Sequence, residues 1–124
     1  MATETILYIS DKPTSGDSEL AALKATNYDV VSVNSSTQAI ALLYIMRSVV
    51  AIVLHGRARE KARFDVARSL RAIHPGIPIV LLCRDHIDRL PPCVDAWVSM
   101  GQPVEKLASA VRRLLTGHFS RAQC

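Results

Sequence analysis

Apolar and polar residues fall into blocks along this chain, and the blocks have the lengths of strands and helices. Val49-Val50-Ala51-Ile52-Val53-Leu54 is an apolar run without alternation, the pattern of a strand buried on both faces in the middle of a parallel sheet. It stops at His55-Gly56-Arg57, the carboxyl edge at which open α/β sheets place their ligands. Runs at 5–9, 29–33, 77–83 and 94–99 predict four more strands, with Pro78 tolerated because its strand is only beginning.

Helical patterns fill the intervals. Residues 17–26 place Leu20 and Leu23 inward and stop near Asn27. Ser35 and Gln38 have the spacing of a capping box, after which Ala39, Leu42, Leu43 and Met46 form one buried stripe. A long helix over 59–73 turns Val66, Leu70 and Ile73 inward and ends at Pro75-Gly76. Residues 84–90 allow one or two helical turns before Pro91-Pro92. The final helix carries Val104, Leu107, Ala108, Val111, Leu114 and Leu115 on one stripe and ends at Gly117.

Five strands alternating with five helices predict an α/β fold with right-handed crossovers. The expected form is a flavodoxin-like, doubly wound, five-stranded parallel sheet of order 2-1-3-4-5. One domain over 5–116 accounts for the pattern, with short tails at 1–4 and 117–124. At 124 residues a core of ordinary size needs no disulfide or metal to hold it.

Composition narrows the classes. Met1 to Thr5 lacks the basic and apolar regions of a signal peptide, and Arg47-Ser48 interrupts the apolar stretch 39–54, so a cytoplasmic protein without a membrane span is expected. Cys83, Cys93 and Cys124 share no metal-ligand spacing, and their odd number suggests free thiols; Cys83 and Cys93 fall at opposite edges of the predicted sheet, too far apart to bridge. The net charge of +4 directs attention to Arg57, Arg59, Lys61, Arg63, Arg68 and Arg71. At helical spacing they read as a solvated helix face, and the alternative is a nucleic-acid-binding module using the basic helix 57–71. No aromatic residues interleave to stack on bases. His74 suits a helix end, and His86 and His118 read as surface residues.

With the strands in place, the stretch from Thr5 to Leu115 resembles a response-regulator receiver domain (CheY-like) of bacterial two-component signalling. Ile6-Leu7-Tyr8-Ile9-Ser10-Asp11-Lys12-Pro13 resembles the family's first strand and acidic pair. Val66, Leu70 and Arg71 match the apolar, apolar and arginine positions of its third helix. Pro78 to Cys83 is similar to the fourth strand, which in the family ends in Thr or Ser. Trp97 to Leu107 is similar to the fifth strand, the lysine position and the start of the last helix.

The resemblance implies a phosphoryl-acceptor site, and the residues depart from it. The acceptor position holds His55 and the acidic pair is Ser10 and Asp11, so two of the family's three carboxylates are missing. The Thr/Ser position is Cys83, a weak donor, and the lysine position is Met100. Arg84 stands where a small residue is usual, and Arg59 where a proline is usual. No Asp or Glu lies between Asp29 and Glu60 to supply the acceptor in another register. Mg²⁺, a hard cation that needs oxygen ligands, is expected to bind weakly or not at all, and no other cofactor or metal is expected.

These departures point to a degenerate receiver, a pseudo-receiver that is not phosphorylated on Asp and signals through protein contacts. His55 is expected to be neutral and hydrogen-bonded to Asp11 or backbone; an unusual acceptor, a metal ligand and a pH-sensitive group are the other readings. Arg57 and Arg84 are candidate anion-binding residues that could turn the His55 pocket toward phosphate. Trp97 is the interface candidate, on the face formed by the fourth helix, fifth strand and fifth helix, where a homodimer, kinase or effector would dock. No glycine-rich phosphate loop, nucleophile elbow or supported Ser/His/Asp set is present, so an enzyme is not expected.

Overall fold

Strands that are apolar on both faces need cover on both faces, and the strands over 5–9, 49–55 and 79–83 receive it, while those over 29–33 and 96–99 are partly exposed. The computed structural model describes residues 4–10, 21, 23, 24, 28–55, 61–83, 93–99 and 105–115, with residues 61–64 described by backbone alone. In chain order the elements are β1 (Thr5–Ile9), β2 (Asp29–Val33), α1 (Ser36–Ile45), β3 (Val49–His55), α2 (Lys61–Ile73), β4 (Ile79–Cys83), β5 (Ala96–Ser99) and α3 (Glu105–Leu115). All strand pairs are parallel and the order is β2-β1-β3-β4-β5, the doubly wound arrangement that the alternation predicts. Of the first predicted helix, residues 21, 23 and 24 are described and are helical, with Leu23 buried. The predicted turns at 84–90 lie outside the described residues.

Successive side chains of a strand point to opposite faces, and the core divides accordingly. On one face Leu7, Ile9, Ile52, Leu54, Leu81 and Cys83 pack under α1 and α2. On the other, Ile6, Tyr8, Val53, Val80 and Leu82 pack under α3 and Leu23. Burying a Leu or Ile side chain in either layer contributes about 1.5–3 kcal/mol. The stripes of α2 and α3 include Leu70 and Ala67, and Leu107, Val111 and Leu114.

Helix α1 starts as its sequence indicates. Ser35 is extended (φ −148°, ψ 153°) and its hydroxyl accepts from Gln38 N at 3.1 Å. The returning Gln38 Oε1 accepts from Asn34 N at 3.4 Å, one residue earlier than the usual box partner. Strands four and five start two residues later than predicted. Ile77 and Pro78 are buried but precede the ladder, although the Pro78 carbonyl still accepts from Ile52 N.

The pairing of β1 with β3 contains one irregularity that positions the site. Thr5 lies opposite Val49, but Ile6 lies opposite Ala51, so Val50 is an extra residue. From there on, Ile9 is opposite Leu54. A one-residue slip moves every side chain to the other face; without it Ser10 would stand beside Leu54 instead of His55.

At the amino edge of the sheet, Arg71 is 7% exposed and its guanidinium donates to Asp95 Oδ2 at 2.7 Å and to the Cys93 carbonyl at 3.1 Å. Asp95 Oδ2 also accepts from Ile79 N at 2.8 Å, and Asp95 N donates to the Ile79 carbonyl. Cys93 has φ 69°, a left-handed conformation that costs a residue with a Cβ, and the Arg71 bond to its carbonyl holds it there. Two expectations change. Arg71 is not on the solvated face of the basic run, because Ala67, Leu70 and Arg71 share the stripe that α2 buries. The cysteines are not all thiols: Cys83 is buried and in no disulfide, whereas Cys93 is disulfide-bonded.

Candidate functional site

Ser10 continues β1 by one residue, its backbone N donating to the Val33 carbonyl at 3.0 Å. His55 ends β3 and lies opposite Leu82 of β4. The extra residue Val50 brings the two together: Ser10 Oγ and His55 Nδ1 are 3.3 Å apart, a long hydrogen bond between buried side chains. The hydroxyl donates to an unprotonated Nδ1 or accepts from a protonated one. The imidazole is 7% exposed and its ring lies 6.4 Å from the Tyr8 ring at a 34° tilt. Ser10 is thus one partner of His55; the expected partner Asp11 lies outside the described residues.

The remaining site positions separate. Cys83 ends β4 at the same edge, opposite Ser99 of β5, but it is fully buried and packs with Leu81 in the layer under α1 and α2. His55 faces the opposite layer, beside Tyr8. Trp97 lies in β5 opposite Leu81 and is half-buried against the α1–α2 layer. Asp11, Arg57, Arg84 and Met100 lie outside the described residues.

The chemistry available at this edge follows from its donors. A nucleophilic carboxylate at the end of β3 would yield an acyl phosphate; an imidazole cannot. Mg²⁺ needs several oxygen ligands in octahedral geometry; at this edge the described residues place the Ser10 hydroxyl beside the His55 imidazole, and Asp11 lies outside them. Among the described residues, no three His, Cys, Asp or Glu side chains gather as a metal centre requires, and no helix is long and apolar enough to cross a membrane.

The comparisons with known proteins follow this geometry. No family model matches the sequence, and no curated protein does. Solved structures match over nearly the whole chain. The signal receiver domain of an HD domain-containing protein from Pseudomonas fluorescens Pf-5 aligns with a TM-score of 0.79 at 16% identity, covering 94% of this chain and 90% of its own. A CheY-like response regulator receiver domain protein from Methanospirillum hungatei JF-1 aligns at 0.78 with 13% identity, covering 94% and 96%. The fold is that of a response-regulator receiver domain. A response regulator receiver protein from Sinorhizobium medicae WSM419 reaches 24% identity at a TM-score of 0.72, covering 92% of this chain and 95% of its own.

Within the receiver fold, the sequence reasoning missed Arg71 and Asp95. A basic residue on the apolar stripe of a helix needs an acid, and Asp95 stands between the apolar Val94 and Ala96. That pairing was the available signal. The network is structural, since it joins α2 to the amino ends of β4 and β5, away from the ligand-bearing edge.

Proposed function

We propose that this chain is a receiver-like signalling module of a two-component or phosphorelay system that works without phosphorylation on Asp. It acts through protein contacts in the cytoplasm and is not an enzyme. The observation that carries this reading is His55 at the end of β3, buried against Tyr8 and bonded to Ser10, where a receiver presents a carboxylate. Asp11 is the remaining acid of the site in sequence and Met100 replaces the lysine, which supports the same conclusion. A kinase, an effector or a further chain would then recognise a constant surface, with Trp97 on β5 as the candidate contact.

The reading is tested with beryllofluoride, which mimics a phosphoryl group on an acceptor carboxylate, added with Mg²⁺. The expected result is no change in melting temperature and no perturbation of Ser10, His55 or Trp97 resonances. Saturable shifts confined to the carboxyl edge would contradict it and would favour an anion pocket with Arg57 and Arg84. Nucleic-acid binding by the helix over 57–71 is weakened as an alternative, because Arg71 is committed to Asp95; retardation of DNA or RNA that falls steeply with salt would restore it.

A further inference from the structure

The disulfide of Cys93 belongs neither to the carboxyl-edge site nor to the Arg71–Asp95 pair. Cys93 is 1% exposed and has φ 69°. Its carbonyl accepts from Arg71, and two residues on Asp95 N donates to the Ile79 carbonyl. Its backbone is therefore held at the amino edge of the sheet, just before β5 begins.

The bond needs a second sulfur, and the sequence holds three cysteines, Cys83, Cys93 and Cys124. Cys83 is in no disulfide. It ends β4 at the carboxyl edge, a strand length of roughly 15 Å from the amino edge, whereas bridged Cα atoms lie within about 7 Å. We infer that Cys93 is joined to Cys124, and that this bond is a redox-sensitive clasp tying the chain beyond α3 to the start of β5.

Topology agrees with this pairing. The strands of a parallel sheet all start at its amino edge, and a helix that follows a strand in a doubly wound fold returns antiparallel to it. Helix α3 follows β5, so its last residue, Leu115, lies toward the edge that carries Cys93. Cys124, which lies outside the described residues, is nine positions further on, and nine extended residues span up to about 30 Å. That length is enough to pass from the layer of α3 around the amino edge to the layer in which Cys93 packs with Val94.

In the cytoplasm proposed for this chain, disulfides are transient and redox-sensing, so the clasp closes and opens with the surrounding thiol pool. Closure takes one low-molecular-weight disulfide: a protein thiolate displaces one small thiol to form a mixed disulfide, and the second protein thiolate displaces the other. Two protein thiols are oxidised and the small disulfide is reduced to two thiols. The pairing itself holds whether or not the carboxyl edge is phosphorylated.

The test equilibrates the folded chain in oxidised or reduced glutathione, alkylates it and measures intact mass, tryptic peptides and urea midpoints. Oxidised glutathione should give a monomer lighter by two hydrogens, with Leu90–Lys106 linked to Ala122–Cys124 in the digest; reduced glutathione should open the bond. Closing a loop through β5 and α3 should lower the unfolding equilibrium constant at least about tenfold. Cys124→Ser should abolish that difference, and Cys83→Ala should retain it. A covalent dimer, a bond mapped to Cys83, or a glutathione adduct that does not resolve overturns the pairing. A linked pair that leaves the urea midpoint unchanged, or that reduced glutathione leaves intact in the folded chain, overturns the clasp.

Discussion

At the amino edge of the sheet, Arg71 and Asp95 commit two charges to holding α2 against the starts of β4 and β5, with Cys93 and Ile79 supplying further bonds. At the carboxyl edge, Ser10 and His55 meet through a long hydrogen bond between neutral-capable groups. Open α/β sheets place ligands at the second edge and not the first. Among the described residues, the buried ion pair is therefore at the end that builds the fold, and the contact described at the other end is a longer one between a hydroxyl and an imidazole. An ion pair by itself does not mark a functional site; its position relative to the strand ends does.

The sharpest way to break this comparison is to remove one charge at the amino edge. Asp95→Ala leaves the buried guanidinium and Ile79 N without their carboxylate and should cost about 3–5 kcal/mol, read as a lower urea midpoint. Replacing both partners by apolar residues, as in Arg71→Met with Asp95→Leu, should recover part of that loss because the uncompensated charge is gone. The double variant also tests whether the Ile79 amide bond or the ion pair dominates.

At the carboxyl edge the expected effects are smaller. Removing the Ser35 hydroxyl with Ser35→Ala deletes the N-cap of α1, which begins at that edge, and should cost about 1 kcal/mol. Ser10→Ala should cost about 0.5–1.5 kcal/mol, the worth of a single hydrogen bond. If Ser10→Ala proves as damaging as Asp95→Ala, the two edges are equivalent in stability terms and the contrast fails.

Much of this was legible in the chain. The continuous apolar runs name the strands because two-sided burial leaves no alternative use for them, and Ser35 with Gln38 names the start of α1. The Ser10–His55 contact was not legible. Counting both strands evenly from Thr5 and Val49 places Ser10 beside Leu54, and only the extra residue at Val50 shifts it to His55; consecutive valines give no sign of which one bulges. Arg71 was misplaced because it was counted with the basic run instead of with its neighbours Ala67 and Leu70.

The central proposal is that the carboxyl edge does not support aspartyl phosphorylation. Incubation of the whole chain with acetyl phosphate and Mg²⁺, followed by intact-mass measurement with and without hydroxylamine, tests it most directly. The account predicts an unchanged mass under both conditions. A stoichiometric phosphoryl adduct that hydroxylamine removes would contradict it.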